Sequence, residues 1–213
     1  MRDILFGFIG TCFFASLLIF TGCSPFGRGT TTPTRFYVLN SLYSTGTEAQ
    51  PVAKLPQLNI AIGPIRLPQH LERPQIVTRG EQNEIQVVEF AQWGESLGTN
   101  FTRVLAENLS VLLATENVSI FPFIKTMPVD YQITVDVTRF DGNPGQDARL
   151  RARWAIFDRE GKRLSYRGHS TFSEPTRSNE IHELIAAKSR AIIALSREIA
   201  EAVKTLSEDK RQE

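Results

Sequence analysis

Few residues in this chain have the types and spacing needed for catalysis. Gly94-Glu-Ser-Leu-Gly98 matches the G-x-S-x-G turn that lifts a nucleophilic serine at the top of an α/β-hydrolase sheet. It lies between a predicted strand and a predicted helix, and His169 or His182 could supply the base. Three features oppose that chemistry. No HGGG-type oxyanion segment precedes the serine, and the elements after it do not alternate β with α. Ser96 also falls in a helical apolar stripe that begins at Trp93, where no strained turn is needed. The competing account is a helix start loosened by Gly94 and Gly98 and packed closely on a sheet. Metal chemistry has less support still: His70, His169 and His182 lie far apart, and a zinc site needs four close ligands. No G-x-x-x-x-G-K-[ST] loop exists, which excludes a P-loop ATPase. The expectation is a protein that is not an enzyme and carries no metal or cofactor.

A different chemistry lies near the N-terminus. Residues 5–20 are almost uninterruptedly apolar, long enough to enter a translocon but short of the ~20 residues of a stable span. No second apolar run follows to stop transfer, so a secretory segment with a processing site is expected. Phe20-Thr21-Gly22-Cys23 resembles a bacterial lipobox: a bulky residue, two small ones that fit a peptidase cleft, then cysteine. The Cys23 thiol can take a thioether-linked diacylglycerol. An ordinary signal peptide, or an uncleaved anchor with an incidental cysteine, is the alternative. The only other cysteine is Cys12, inside the apolar segment, so Cys23 has no disulfide partner after cleavage. The n-region is weak, because Asp3 offsets Arg2. Residues 1–22 are thus assigned to a cleaved signal peptide. Ser24 follows the cysteine; Asp there usually retains such lipoproteins in the inner membrane of enteric-type bacteria, so Ser24 predicts export to the outer membrane.

A third group is basic. Arg149, Arg151 and Arg153 alternate with apolar residues on one predicted strand, and Arg163, Arg167 and His169 do so on the next. Folded side by side, these rows make a basic patch, either a docking surface for an acidic partner or anionic headgroups, or simply a solvated sheet face. The overall formal charge is only +1, which argues against a nucleic-acid binder.

These groups must be positioned by the elements between them. Residues 23–34 form a lipidated cysteine and a Gly-, Pro- and Thr-rich tether that reaches at most ~35–40 Å. Residues 35–213 make one domain, with enough chain for a core that needs no disulfide. Strands are predicted at Arg35–Leu39, Gln57–Ile62 (ended by Gly63-Pro64), Gln75–Arg79 and Glu84–Phe90, the last two joined by a hairpin turn. Asn40–Leu55 is expected to be a mobile loop, and Pro68 and Pro74 leave room for at most one helical turn between them. An amphipathic helix is predicted from Gln92 to about Ala114, then a short strand at Asn117–Phe121. Tyr131–Thr138, Arg149–Phe157 and Arg163–Phe172 follow, joined by turns at Asp141–Gly145 and Asp158–Gly161. They make an antiparallel meander. A last helix starts near Ser178, with a stripe from Ile181 to Leu206 and a frayed tail from Glu208. The fold class is α+β: one antiparallel or mixed β-sheet with two long amphipathic helices packed on one face. Asn100, Asn108 and Asn117 fit glycosylation sequons, which carry no meaning in a bacterial lipoprotein.

With the elements in order, a likeness emerges. Phe36-Tyr37-Val38-Leu39, Ile60-Ala-Ile-Gly-Pro64, Leu67-Pro-Gln-His-Leu-Glu-Arg-Pro-Gln-Ile-Val-Thr-Arg79, Glu89-Phe-Ala-Gln-Trp93, Leu97 and Val104–Leu113 carry it. In order and spacing they resemble the auxiliary lipoproteins of ABC-type intermembrane lipid transport, the family of paraquat-inducible protein C (PqiC). The resemblance implies a lipid-anchored, periplasm-facing outer-membrane subunit with no catalytic centre. Its implied partners are ABC permease and ATPase subunits and a bridging protein of the mammalian-cell-entry (MCE) type. A homo-oligomeric ring is a further family-level implication. The resulting expectation is a non-catalytic docking or receiving component. A carrier that holds an acyl chain in its own groove is the alternative, and a serine hydrolase using Ser96 is a remote one.

Overall fold

The computed structural model describes residues 32–44, 50–81, 83–122, 128–158 and 163–212. The expected signal peptide, Cys23, Ser24 and most of the expected tether lie outside the described residues, as does most of the turn at Asp158–Gly161. The chain divides into two units, Met1–Pro33 and Thr34–Glu213, and the second is the folded body.

Among the described residues, eight strands and two helices make up that body. They are β1 (Arg35–Tyr37), β2 (Ile60–Arg66), β3 (Gln75–Arg79), β4 (Ile85–Trp93), α1 (Leu97–Leu113), β5 (Val118–Ile120), β6 (Tyr131–Gly142), β7 (Asp147–Asp158), β8 (Arg163–Pro175) and α2 (Ile181–Gln212). The α+β class holds. The strands divide between two sheets: a mixed five-stranded one in the order β5-β2-β6-β7-β8 and a three-stranded one in the order β1-β4-β3. β6, β7 and β8 are the antiparallel meander that alternation predicts. A single 3-10 turn, Gln69–Leu71, fills the space between Pro68 and Pro74.

Several boundaries depart from the sequence expectation. Gly63-Pro64 does not end β2. A register shift between Ile62 and Ile65 lets the strand run on to Arg66, and a bulge is where a strand tolerates a residue without an N–H. Gly63 has φ +112°, and a Cβ there would meet the Cβ of Phe121 at 2.9 Å, so only glycine fits. The helix predicted from Gln92 begins at Leu97 instead, because Gln92 and Trp93 still belong to β4, paired with Phe36 and Tyr37. The supposed tail from Glu208 is helical to Gln212, the end of α2.

Both helices pack on the face of the five-stranded sheet that carries Leu150, Ala152, Trp154 and Ile156. Phe101, Leu105, Leu109, Phe140, Ile192 and Leu195 fill the space between, each at most 1% exposed. Phe101 meets Phe140 edge to face at 5.5 Å, the geometry ring quadrupoles favour. Gly168 leaves the room that the Trp154 indole occupies: a Cβ there would lie 2.1 Å from Trp154 Cε2. The indole N–H donates to Ser170 Oγ at 2.8 Å, and the ring stacks on Tyr166.

Two polar devices hold this arrangement. In the first, the segment after β1, taken from sequence as the start of a mobile loop, is strapped to the helices. Leu39 N–H donates to Asn100 Oδ1 at 2.6 Å and Leu42 N–H to Asn108 Oδ1 at 2.8 Å. Asn40 N–H donates to Ser189 Oγ at 3.0 Å, and Asn108 Nδ2 to Ser196 Oγ at 3.1 Å. Asn100 and Asn108 are fully buried, so these residues serve as clamps between elements. In the second device, Asp141 accepts from Arg79 of β3 and Arg139 of β6, joining the two sheets. Burial pushes the Asp141 carboxyl up, but the two arginines outweigh it and hold it below the usual range. Beside it, buried Lys188 donates to the Phe140 carbonyl at 2.8 Å and lies 4.4 Å from that ring's centroid. Desolvation lowers Lys188 from 10.5 to about 8, against the pull of Asp141.

The sign of the Lys188 effect is testable. Between pH 8 and 10.5 the unfolded chain holds a proton that the folded chain has lost, so this group adds stability as pH rises through that window. Urea titrations at pH 7.5 and 10 on wild type and Lys188→Met are expected to show wild type gaining about 2 kcal/mol relative to the variant. An unchanged difference would refute the buried, depressed lysine.

Candidate functional site

The alternation along β7 dictates its two faces. Ala148, Leu150, Ala152, Trp154 and Ile156 point into the core, which leaves Arg149, Arg151 and Arg153 on the outer face. Pairing extends that face sideways. Arg153 lies opposite His169, Arg151 opposite Thr171 and Ala155 opposite Arg167 on β8; Asp136 of β6 lies opposite Arg153, and Arg66 of β2 opposite Asp136. The structure thus brings together Arg149, Arg151, Arg153, Arg167 and His169, as the two predicted rows require, and adds Arg66. Arg163 does not join them. A register shift between Ile156 and Phe157 sets it opposite Asp158 and out of the row of Arg167.

Charge is unevenly matched across this face. Arg149 Nε donates to Asp147 at 2.7 Å, and hydrogen bonds from Ser173 and Arg149 hold the Asp147 carboxyl below its usual range. Asp136 is shared: Arg153 contacts it at 2.9 Å and Arg66 at 3.9 Å. Arg151 and Arg167 form no ion pair among the described residues. Where the rows meet, a depression of about 450 Å³ opens on the surface, floored by Thr134 and Ala155 and rimmed by Arg66, Arg153 and Arg167.

Other surface depressions lie at the edges of the body. One of about 460 Å³ is lined by Arg73, Pro74, Trp93, Ser96 and Leu97, and one of about 420 Å³ by Leu55, Leu58, Tyr131 and Lys210. The first lies where the start of α1 meets β4, and the second where the last turns of α2 meet the start of β6; between these ends large side chains fill the interior.

Ser96 is the N-cap of α1. Its Oγ accepts from Thr99 N–H at 3.2 Å and donates to Thr99 Oγ1 at 2.7 Å. Its backbone, φ −57° and ψ 136°, is relaxed, whereas a nucleophile elbow is strained. The three histidines sit on separate elements: His70 in the 3-10 turn, His169 on β8 and His182 in the first turn of α2. Among the described residues no cluster of three or more His, Cys, Asp and Glu side chains comes together.

Sequence reasoning missed Arg66, because Gly63-Pro64 hides the continuation of β2. It also missed Asp136 as the shared counter-ion, which only the register across β2, β6 and β7 reveals. No described helix is long and apolar enough to cross a membrane.

Comparison with known proteins gives a consistent result. Residues 37–200 match the family model described as ABC-type transport auxiliary lipoprotein component. No curated protein matches significantly. Among solved structures, an uncharacterized protein aligns with a TM-score of 0.65 at 14% identity, covering 81% of this chain and 99% of its own. A protein from Xanthomonas campestris aligns with a TM-score of 0.64 at 16% identity, covering 84% of this chain and 100% of its own. These likenesses bear on the fold.

As a cap, Ser96 has a measurable consequence. Ser96→Ala is expected to cost about 1 kcal/mol in chemical denaturation and to leave any esterase activity of the purified protein toward p-nitrophenyl acyl esters unchanged. Loss of such activity without loss of stability would instead mark Ser96 as a nucleophile.

Proposed function

The chain belongs to the ABC-type transport auxiliary lipoprotein component family, and on that premise we propose that it is the non-catalytic docking or receiving subunit of an intermembrane lipid-transport system. In this reading Cys23 is acylated after removal of residues 1–22, and Ser24 directs the lipoprotein to the outer membrane. Several acyl chains hold a protein stably at one membrane, whereas a single chain holds it marginally. The tether of residues 24–34 sets the reach of a periplasm-facing body, residues 35–213. That body docks an MCE-type bridging protein served by ABC permease and ATPase subunits in the opposite membrane.

The observation that carries this reading is the filled interior. A carrier needs an apolar cavity that stays open for an acyl chain, and ligand pockets of that kind are concave and unfilled. Here Phe101, Leu105, Leu109, Phe140, Ile192 and Leu195 occupy the space between helices and sheet. The capped, relaxed Ser96 supports a non-catalytic role in the same way.

Two experiments test the proposal. A pull-down of the tagged full-length protein from membranes in mild detergent, with the co-purifying proteins identified, is expected to recover a bridging or permease subunit; recovery of none would sink the docking role. Fractionation of membranes from cells expressing wild type or Ser24→Asp is expected to place wild type in the outer membrane and the variant in the inner one. Wild type in the inner membrane would overturn the sorting assignment.

A further inference from the structure

Several arginines of this body are held by carboxylates of their own. Arg79 and Arg139 converge on buried Asp141, Arg103 sits between Glu95 and Glu107, and Arg190 pairs with Glu174. These are matched cations. On the outer face of the five-stranded sheet, Asp147 holds Arg149 and Asp136 serves both Arg66 and Arg153, while Arg151 and Arg167 have no ion-pair partner among the described residues. The chain as a whole is nearly neutral at +1, so this surplus comes from placement on one face and not from composition.

The shape under the surplus is specific. Thr134, Ala155 and Arg167 are consecutive partners across β6, β7 and β8. The two small side chains lie low and the guanidinium groups of Arg66, Arg153 and Arg167 stand around them, giving the depression of about 450 Å³. Arginine presents a planar fork that takes a carboxylate through two parallel N–H donors. Membrane-surface binding combines cations with exposed large apolar side chains that enter the headgroup region. On this body the exposed phenylalanines Phe36 and Phe90 lie on β1 and β4 of the other sheet and Phe121 follows the edge strand β5, while the arginine face has Leu164 near its end and a half-buried Phe157 in the wall of the depression.

Resting on the docking role above, we propose that this face is the docking surface for an acidic segment of a partner protein, whose carboxylates enter the depression between Arg66, Arg153 and Arg167. Arg151 extends the contact along β7, and Asp136 acts as a resident competitor that holds two of the guanidinium groups until the partner's carboxylates replace it.

The test uses the full-length protein in mild detergent and a fluorescein-labelled octaglutamate peptide, read by anisotropy. Wild type is expected to bind the peptide, less tightly as salt rises. Arg153→Ala/Arg167→Ala is expected to weaken binding at least ~tenfold, and Asp136→Asn to tighten it ~threefold by freeing both partners. Arg73→Ala/Arg197→Ala, with the same change in net charge at exposed sites elsewhere, is expected to stay within ~twofold. Equal weakening by the two double variants would reduce the effect to diffuse charge and overturn the proposal. So would weaker binding by Asp136→Asn. Binding to phosphatidylglycerol vesicles through the same arginines, with no binding of the peptide, would replace the protein partner by a membrane and equally overturn it. The membrane pull-down repeated on Arg153→Ala/Arg167→Ala separates the two claims. Undiminished recovery of the transport subunit refutes this face and leaves the docking role standing, whereas failure of wild type refutes the role itself.

Discussion

Two buried asparagines on one helix hold the body together. Asn100 and Asn108 lie two turns apart on α1, facing the core, and their side-chain oxygens accept the N–H groups of Leu39 and Leu42. β1 ends at Tyr37, so the segment beyond it has no strand to satisfy its backbone, and a buried N–H without a partner costs about 1–3 kcal/mol. The amides take the place of that missing strand. Ser189 and Ser196 of α2 complete the set, so one polar seam fixes α1, α2 and residues 39–42 against each other. With the seam in place, the apolar stripes of both helices close on the sheet, and Phe101, Leu105, Leu109, Phe140, Ile192 and Leu195 fill the space between the layers.

The same economy separates structural from surface charge. Asp141, only 4% exposed at its side chain, joins β3 to β6 because two arginines reach it together. A lone buried carboxylate there would be expensive, and removal of one partner from such a cluster is strongly destabilising. The outer face of β7 follows the opposite rule. Its arginines are solvated and under-matched, contribute little to stability, and remain available to something outside the chain. A single sheet therefore has a helix-covered face that sets the fold and a charged face turned to solvent.

Much of the fold was legible in the sequence, because period-two and period-3.6 patterns report directly on half-buried strands and amphipathic helices. The meander of β6, β7 and β8, the β3–β4 hairpin, the short turn between Pro68 and Pro74 and the closing helix all follow from such patterns. What stayed hidden depends on contacts distant in sequence. The split into two sheets is set by β1 pairing with the far end of β4, and Trp93 belongs to a strand although its spacing also suits the helix. Asn100, Asn108 and Lys188 sit at stripe positions, a signal of burial that their polarity masks. The arginine rows were visible from alternation, but Arg66 was hidden by a proline inside a bulge, and Arg163 was misplaced because one register shift moves every later residue of a strand.

The central claim is that this lipoprotein body works by position and docking and does not enclose lipid. Native mass spectrometry of the full-length protein, released from membranes in mild detergent, tests it directly. The account predicts a polypeptide carrying only covalent acyl mass, assignable to Cys23, with no other lipid at stoichiometric level. A phospholipid bound non-covalently at one per chain, and retained after detergent exchange, would contradict it.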